Sequence, residues 1–467
     1  MALIINQKPY YGSSATSIGL PVGQQIIFSV IDTNVLANYF NVKYSAEVFV
    51  YNTSLGLSIG TFETTPNNAG AGIWDFRPIL ESFVSADNLG VPSPTTALAT
   101  RYKTDEVPNT PIHLIDRYSK SANSLKRLAI VFRVYGSVTP TDPILQIGGG
   151  TGTGQYSFFN GVLQYDDVLR LTNNDYGFDL EAAGLYTAMT QGKFLSNAPT
   201  TQYANIDDYG VFAFLNFMPV ATSSFGIQYI TFRYYSSAGI QQGAAETILQ
   251  PFNLQGADSQ FLYAGVFPGN LRGWSSAFRA FIIAHPDGYY TIQANTYQPY
   301  YSALYTIQLN CPTNLGYTPI RLTWLNQWGA WDYYTFTQKS VKSISTKKAP
   351  YTQISGTWNE TTLGISGYQG GRKNFRVNTS EKIKMNTAYV TEDEGLWFEE
   401  LINSPEVYIL NGYDGDEVAP FNTITNKYVE PVTLTTSSYT RKTVANDKLM
   451  QYTFEVEKSK NRRTQAV

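Results

Sequence analysis

The chain has 467 residues, including 35 Tyr, 26 Phe and 7 Trp but only two His and one Cys, and its formal net charge is −3 at pH 7. A chain of this length is too long to fold around one hydrophobic core, which predicts about two to four domains. A hydrophobic content of 43% excludes global disorder. The small net charge excludes a strong long-range attraction to nucleic acid or anionic membranes, while scarce His and Cys disfavour catalysis.

Period-two patterns of apolar residues predict three strands near the N-terminus, at 24–31, 42–50 and 58–65. Turn signals separate them, as in a β-sandwich. Residues 73–83 then place apolar side chains near helical spacing, which predicts a short capping helix. Together these patterns predict an N-terminal β-sandwich domain with a short arm over residues 1–90.

Residues 91–124 are rich in Pro, Thr, Ser and Asn and predict a linker or long excursion. A central β-rich domain with long loops is predicted for 125–318. Its predicted strands are 128–135, 156–159, 211–217, 225–235, 289–294 and 303–309. Long polar connections separate them, and such loops commonly contact ligands or neighbouring subunits.

Residues 319–467 predict a C-terminal β domain with one short helix and a basic tail. Its predicted strands are 320–325, 332–337, 386–390, 407–410, 432–437 and 450–456. The helix begins after Thr391 with an acidic first turn and ends at Ser404-Pro405. We therefore expect an all-β protein of several antiparallel β-sandwich domains with long loops and few short helices.

Motifs for phosphate binding and catalysis are weak. The glycine-rich segment 148–154 precedes Gln155 and a strand-like stretch, so it lacks the Lys and the helix of a phosphate loop. Only His113 and His285 could serve a catalytic triad, and two imidazoles do not make a His-based metal site. We predict no catalytic residue, no metal site and no cofactor, and interpret Cys311 as a buried structural thiol.

Neighbouring carboxylates occur at 166–167, 207–208 and 392–394. Sequence neighbours on a strand point to opposite faces, so these pairs are interpreted as turn or helix-start signals rather than as a glycosidase pair. The oxygen-rich segment 411–417 could hold calcium, although it lacks the full EF-hand spacing.

Two clusters are candidates for contacts. Trp324, Trp328 and Trp331 form a candidate aromatic contact cluster around Gly329. We expect a hairpin core or a subunit interface there, with a carbohydrate-stacking platform as the alternative. The second cluster is a basic tail, interpreted either as solvated or as docking on an acidic neighbouring subunit; it comprises Lys458, Lys460, Arg462 and Arg463.

Several stretches resemble virion proteins of tailed bacteriophages, especially phages of Bacteroidota from marine and gut settings. They are LPVGQQIIFSV (20–30), AEVFVYNTS (46–54), GTFETTPNNAGAGIWDFRPILESFVSADN (60–88), IRLTWLNQWGAWDYYTF (320–336), LWFEELINSPEVYIL (396–410) and KLMQYTFEVEKSKNRRTQ (448–465). The resemblance implies β-sandwich building blocks of a tail, collar or baseplate, and it carries over no functional residues.

The resemblance and the composition lead to one expectation and one alternative. We expect a non-enzymatic structural component of a virion, assembled in the host cytoplasm, whose partners are copies of itself in a ring and other virion proteins. The absence of a basic, apolar leader pattern at the start agrees with release by lysis. No nucleic-acid or membrane-inserting partner is expected. The alternative is a tail module that binds a receptor or host surface glycan.

Overall fold

The structure is a computed structural model. It describes residues 3–9, 19–51, 56–87, 112–114, 117–121, 123–162, 194–216, 229–249, 260–295, 301–309, 316–358, 360–410, 429–440, 450–460 and 462–463. These residues form two compact units. Unit 1 is built from the described parts of 1–311 and 325–332, and unit 2 from those of 312–324, 333–413 and 426–467.

Unit 1 consists mainly of short strands. In chain order they are β1 (Ile4–Gln7), β2 (Gly19–Pro21), β3 (Ile27–Ile31), β4 (Phe40–Tyr51), β5 (Gly56–Thr64), β6 (Gly72–Asp75), β7 (Tyr118–Lys120), β8 (Leu125–Ser137), β9 (Leu145–Gln146), β10 (Thr151–Phe159), β11 (Thr201–Ala204), β12 (Val211–Asn216), β13 (Tyr229–Tyr235), β14 (Glu246–Leu249), β15 (Gln260–Gly265), β16 (Tyr289–Asn295) and β17 (Tyr305–Leu309). Its α-helices are α1 (Thr33–Asn38), α2 (Arg77–Leu80), α3 (Pro268–Trp274) and α4 (Ser276–Ala284).

The described strands of unit 1 pair into four sheets. The orders are β1-β3-β6, β2-β10-β8-β4-β5 with β9 added to β8, β11-β17-β16-β13-β14, and β12-β15-β7. Most pairs are antiparallel, whereas β2 with β10 and β11 with β17 are parallel. Period-two alternation dictates this arrangement, since it gives each strand one apolar face to bury.

Two of these sheets share one aromatic core. Phe28 of β3 packs against Phe132 of β8 and Tyr156 of β10, with ring centroids 5.9 and 5.7 Å apart. Trp74 of β6 lies 5.3 Å from Phe132. The sheets β1-β3-β6 and β2-β10-β8-β4-β5 therefore pack face to face around buried rings, as the predicted sandwich requires.

The predicted boundaries at residues 90 and 124 differ from the structure. β4 pairs with β8 from Phe40↔Ser137 to Tyr51↔Arg127, so the first two predicted domains share a sheet. β7, inside the predicted linker, pairs with β15. Local sequence patterns predict strands but not their distant partners, and this pairing is long-range.

The helix predicted at 73–83 is also shorter than expected. Trp74 lies in β6, which pairs with β3. Asp75 then ends the strand, because its Oδ1 accepts from the backbone N–H groups of Ile26 and Arg77. Pro78 follows in the first turn of α2, and a 3-10 turn over Glu81–Phe83 completes the segment.

Unit 2 contains one large sheet and one helix among its described residues. Its strands are β18 (Ile320–Leu325), β19 (Trp331–Phe336), β20 (Val341–Gln353), β21 (Gly371–Asn386), β22 (Val407–Leu410), β23 (Val429–Leu434), β24 (Thr453–Lys458) and β25 (Arg462–Arg463). The last residue of β18 and the first two residues of β19 are counted with unit 1. They pair in the order β19-β18-β22-β23-β24-β21-β20, with β25 added to β21. The helix is α5 (Glu392–Asn403).

The helix α5 confirms its sequence prediction. Thr391 caps it by accepting from the Glu394 N–H, and the Glu394 side chain accepts from the Thr391 N–H, which completes a capping box. Its buried face packs against the sheet, with Trp397 4.9 Å from Trp324 and Phe398 5.4 Å from Phe454.

The all-β class is confirmed. The described residues form several antiparallel sheets with few short helices. Predicted bounds match at β18 and β22, and lie within a few residues of the observed ends at β4 and β5. Among the described helices, none combines the length and the apolar character needed to cross a membrane.

Candidate functional site

The candidate site is a long two-stranded ribbon in unit 2, residues 341–386. β20 pairs with β21 from Val341↔Lys384 to Gln353↔Gly371. Along β21, the described part of β24 pairs with Lys382–Asn386 alone, and β25 pairs with Asn378 and Thr379 alone. Among the described residues, the part farther along the ribbon therefore has two strands alone, and the 13 residues of β20 span about 40 Å.

Both faces of this ribbon are open to solvent. The first eight residues of β20, Val341 to Lys348, are all exposed, and so are most residues at the start of β21. An isolated two-stranded hairpin is only marginally stable in water, because it buries little apolar surface. A partner that covers the ribbon would add the missing burial.

The tip of the ribbon, residues 354–370, is organised by its own hydrogen bonds. The Thr357 N–H donates to the Gly364 carbonyl over 3.1 Å, and the Gly364 N–H donates to Thr357 Oγ1 over 2.7 Å. Thr357 Oγ1 also donates to the Thr362 carbonyl over 2.9 Å. These bonds fix the loop before any partner binds.

The base of the tip is closed in the same way. The Lys373 ammonium donates to the Tyr368 carbonyl over 3.1 Å and to Gln353 Oε1 over 2.5 Å, which joins the two strands. Gly370 and Gly371 have φ of +83° and +78°, a backbone region that glycine adopts without strain. The chain can therefore leave the tip through a sharp turn.

Apolar side chains dominate the exposed surface of the tip. Trp358 is 69% exposed and Tyr368 is 78% exposed. The other exposed apolar side chains here are Ile354, Leu363 and Ile365. A Cβ atom on Gly356 would lie 2.9 Å from Leu363 Cδ1 and 3.4 Å from Trp358 Nε1, so these two side chains flank one glycine. Such a patch on an ordered loop indicates an interaction surface.

The polar group of Trp358 is already used within the tip. Its indole Nε1–H donates to the Ser355 carbonyl over 2.7 Å. The outer surface of the indole is therefore apolar in character. A partner gains most from this ring by covering it with other apolar side chains.

The ribbon is strongly basic. Residues 341–386 contain eight Lys or Arg and two Glu, a formal charge of +6, although the whole chain carries −3. Lys347, Lys348, Arg372 and Arg376 are exposed near the tip. Nearer the base, Lys382 lies 3.5 Å from Glu455 and 3.8 Å from Glu457, so part of the charge is compensated there.

The structure buries all three predicted contact tryptophans. Trp324 lies in unit 2, where it packs against Trp397. Trp328 and Trp331 belong to unit 1. The trio is therefore not one exposed aromatic surface, because all three rings are buried and they belong to two different units.

Trp328 and Trp331 are fixed by hydrogen bonds within unit 1. Trp328 Nε1 donates to Asn197 Oδ1 over 3.3 Å, and Trp331 Nε1 donates to the Asp87 carbonyl over 2.8 Å. The buried Asp87 carboxylate in turn accepts from Ser124 Oγ over 2.5 Å and from Tyr263 Oη over 2.9 Å. This arrangement is a satisfied structural network.

The predicted basic docking tail also differs from expectation. Lys458 lies in β24, with its ammonium 3.2 Å from Glu430 and 3.7 Å from Glu381, so its charge is used within unit 2. Lys460 is exposed, whereas the Arg462–Arg463 backbone forms β25 against β21. The ion pairs of Lys458 involve acidic side chains of neighbouring strands, and the sequence around Lys458 does not indicate these partners.

The two histidines lie in different surroundings. His113 is fully buried in a 3-10 turn, with its ring edge-on to Trp331 at 5.4 Å. His285 caps the end of α4 and lies 5.8 Å from Phe281. Among the described residues, no group of three or more His, Cys, Asp or Glu side chains is placed to hold a metal ion.

The remaining motifs take structural positions. Residues 151–154 of the glycine-rich segment lie within β10, where Gly154 has φ +77°, so the strand begins inside the segment that the sequence indicated as a loop. Asp208 Oδ2 accepts from the Asn205 N–H in a turn, and Asp207 pairs with Arg272. Cys311, the 166–167 pair and the 411–417 segment lie outside the described residues.

Local sequence patterns do not predict the ribbon. Its β20 half, VKSISTKKAPYTQ, has no apolar face because both faces are exposed. The β21 half does carry a signal, since Phe375, Val377, Ile383 and Met385 all fall on odd positions. The turn residues Gly370-Gly371 before this alternation could have identified a hairpin.

Comparisons with known proteins do not assign the chain to a family. No protein-family model and no curated protein matches it. Among solved structures it is similar to the native conformation of E. coli alpha-2-macroglobulin, with 9% sequence identity and a TM-score of 0.18. The alignment covers 82% of this chain and 21% of that chain. At this TM-score the likeness carries no argument about fold or function.

Proposed function

We propose that the chain is a structural subunit of a tailed phage particle, in its tail, collar or baseplate, and that it acts through subunit contacts rather than catalysis. The observation that carries this proposal is the ribbon tip, whose exposed Trp358 and Tyr368 are presented by a hydrogen-bonded loop. Exposed apolar patches of this kind mark protein interfaces. The resemblance of six sequence stretches to virion proteins supports the particle as the setting.

The order within the tip supports a lasting contact. A loop that is already fixed loses little conformational freedom when it binds, so more of the contact energy stabilises the complex. Trp and Tyr are also the residues that contribute most at interface centres. The proposed partners are copies of the same chain and other virion proteins, in particles assembled in the host cytoplasm.

Mass spectrometry and electron microscopy of the phage that encodes the chain test this proposal. We expect peptides of the chain in extensively washed particles at a fixed stoichiometry, and density for its sheets in the tail, collar or baseplate. Washed particles that contain no peptide of the chain would contradict it. A comparison of particles before and after high-salt washing controls for adsorbed protein.

A second candidate is a tail module that binds a host surface glycan. The exposed aromatic rings of Trp358 and Tyr368 favour it, because such rings can stack on sugars. A glycan array tests it with the purified chain, the Trp358→Ala variant and a Tyr389→Ala control, since Tyr389 is exposed outside the ribbon. Binding that is lost in Trp358→Ala and kept in Tyr389→Ala would favour this candidate over a purely structural role.

A further inference from the structure

We infer that the ribbon tip of one copy binds the outer face of helix α5 in a second copy. This α5 face consists of Glu392, Asp393, Leu396, Glu399 and Glu400. The inference rests on the structural-subunit function proposed above and names the surface that the ribbon tip contacts. Both surfaces belong to unit 2, and they match in layout and are opposite in charge.

The described acidic residues of unit 2 concentrate on α5. Outside the ribbon, the described residues of unit 2 contain six basic and nine acidic residues. Five of the nine lie in α5, whose sequence contains no Lys or Arg. Three of the other four form ion pairs with Lys382 or Lys458, namely Glu430, Glu455 and Glu457.

Unit 1 offers the basic ribbon no comparable attraction. Its described residues are nearly neutral, with 11 basic and 12 acidic residues. The ribbon carries a formal charge of +6. Because opposite charges favour association, α5 is the described element that attracts the ribbon most strongly.

Leu396 forms the centre of the α5 face. Its side chain is 45% exposed, although Trp397 and Phe398 beside it are buried. Residues three and four apart are neighbours on a helix surface, so Leu396 is surrounded by positions 392, 393, 399 and 400. All four are carboxylates, exposed at 392 and 393 and half-buried at 399 and 400. The α5 face is thus an apolar side chain within an acidic rim.

The ribbon tip has the same layout with the opposite charge. Trp358, Leu363 and Tyr368 supply its apolar centre. Arg372 and Arg376 follow on β21, and both are exposed. An apolar centre surrounded by charged side chains is the common arrangement of protein interfaces. The apolar centre would supply affinity, and the arginines would orient the tip on the acidic rim.

The two charged rims also agree in length. Arg372 and Arg376 are four residues apart in a strand, which is about 13 Å. Glu392 and Glu400 are eight residues apart in a helix, which is about 12 Å. The two arginines can therefore face both ends of one α5 face while the apolar tip covers Leu396.

The contact joins two copies, because the tip and α5 lie at opposite ends of β21. Gly371 begins β21 at the tip. Phe398 of α5 packs on Phe454, which pairs in register with Met385 near the other end of β21. About 45 Å of strand separates Gly371 from Met385. The tip therefore lies too far from the α5 face of its own copy to bind it.

Pairing of one ribbon with another is disfavoured by charge. A two-fold contact between ribbons would bring like charges together, from Lys347, Lys348, Arg372 and Arg376 of each copy. Like charges opposed across an interface weaken binding. The contact is therefore expected to join two different surfaces.

The tip, rather than the free edge of β20, is the contacting element. Among the described strands, β20 pairs only with β21, so its other edge is open. That edge carries exposed Lys347 and Lys348, and Pro350 lies at a register irregularity. Lysines, prolines and bulges on edge strands discourage the addition of another strand. Binding through the edge is thus disfavoured, while the tip stays accessible.

A contact between unlike surfaces of identical chains repeats from copy to copy. Such a head-to-tail interface forms a closed ring when the rotation between copies closes, and a filament when it does not. The ribbon is then the element that links successive copies in an assembly.

Photo-crosslinking of the full chain tests the inference. A ¹⁴N chain with Trp358→p-benzoylphenylalanine is mixed with a ¹⁵N wild-type chain, so that mixed-isotope peptides report contacts between copies. Tyr203→p-benzoylphenylalanine, at an exposed tyrosine of unit 1, is the matched control. We expect mixed-isotope cross-links from position 358 to residues 391–403, and none to these residues from position 203.

Charge reversal in the same mixture tests the pairing of the two rims. Arg372→Glu with Arg376→Glu is placed in the ¹⁴N chain, and Asp393→Lys with Glu400→Lys in the ¹⁵N chain. Each double variant, mixed with an unreversed partner, should lower the cross-link yield about tenfold, because like charges then face each other. The two reversed chains mixed together should recover the wild-type yield.

Two controls keep this test decisive. Glu81→Lys with Asp287→Lys in the ¹⁵N chain reverses two exposed acidic residues of unit 1 and should leave the yield unchanged. Thermal melts show whether each reversed chain is folded. If the α5 variant melts early, the ribbon variant decides the result, because both of its arginines are exposed.

Four results would overturn the inference. They are cross-links from position 358 to the ribbon, to unit 1 or to bound nucleic acid instead of α5, cross-links within single copies only, no cross-link at all, and folded reversed chains that do not recover the yield together. Each leaves the particle proposal standing if the chain is found in washed particles. Conversely, cross-links to the α5 face with no chain in washed particles would contradict the particle setting alone.

Discussion

Gly329 packs directly against the backbone of Asn160, and a Cβ atom at position 329 would overlap the Asn160 carbonyl oxygen. Gly329 also has φ +72°, in the left-handed region. Both conditions select glycine at the turn between Trp328 and Trp331. The turn therefore fixes where these two rings enter the core of unit 1.

The first prediction follows from this contact. Gly329→Ala should destabilise unit 1 by more than the roughly 1–2 kcal/mol that a left-handed backbone costs alanine, because the backbone of Asn160 must also move. Gly154→Ala is the matched control, since Gly154 has φ +77° and no described atom lies within 4 Å of an added Cβ. Equal losses of unfolding free energy in denaturant titrations would contradict the prediction.

The second prediction concerns the Asp87 network. Tyr263→Phe removes the hydroxyl that donates to Asp87 Oδ2 over 2.9 Å and leaves the buried carboxylate with one donor fewer. We expect a loss of about 1–3 kcal/mol of unfolding free energy. Tyr203→Phe, at an exposed tyrosine, should change it little. Indistinguishable denaturation midpoints for the two variants would show that the network contributes no stability.

The third prediction compares buried and exposed tryptophans. Trp324→Ala removes a fully buried ring that packs on Trp397, and should cost about 3–5 kcal/mol. Trp358→Ala removes an exposed ring at the ribbon tip and should leave the melting temperature nearly unchanged. Thermal melts measure both, and a large loss in Trp358→Ala would mean that the tip is part of a core.

The fourth prediction is a loss of stability at alkaline pH. Burial raises the pKa of the phenols of Tyr118, Tyr234, Tyr305 and Tyr334 well above the ordinary value of 10.0. Above about pH 10 the unfolded chain releases these protons while the folded chain keeps them, so the unfolding free energy falls as pH rises.

Denaturant titrations between about pH 9 and about pH 11 measure this slope. Tyr118→Phe removes one of the buried phenols and should make the slope shallower by up to one proton. Tyr118 Oη donates to the Ile248 carbonyl, so the variant is compared with wild type by slope rather than by absolute stability. An unchanged slope would contradict the assigned cause.

The sequence predicts those elements whose signals are local. The capping box at Thr391 and Glu394 marks the start of α5, and the alternation in LAIVFRVY marks the buried part of β8. In both cases neighbouring residues carry the pattern, so no knowledge of distant partners is needed.

Other features depend on partners that are distant in sequence. The pairing of β4 with β8 joins two predicted domains, and the ion pairs of Lys458 involve Glu381 and Glu430 from other strands. The helices α3 and α4 were missed although Ser275 caps α4 and Phe278 and Phe281 lie three residues apart on its buried face. Glycine and proline residues around this segment are turn signals, and they argue against a helix in the sequence pattern.

The candidate site itself was the least predictable part. A strand with both faces in water, such as β20, has no apolar periodicity to detect. The sequence instead indicates Trp324, Trp328 and Trp331 as contact candidates. A dense aromatic cluster in a sequence is equally typical of a buried core and of a contact surface. Burial separates the two: these three rings are buried, whereas Trp358 and Tyr368 are exposed at the ribbon tip.

Sedimentation velocity of the purified chain over a range of concentrations tests most directly whether the ribbon tip mediates assembly. We expect wild type and a Tyr389→Ser control to form larger species as concentration rises, while Trp358→Ser with Tyr368→Ser stays monomeric with unchanged melting, since all three residues are exposed. Identical sedimentation of wild type and the tip variant, or a wild type that stays monomeric throughout, would contradict the account.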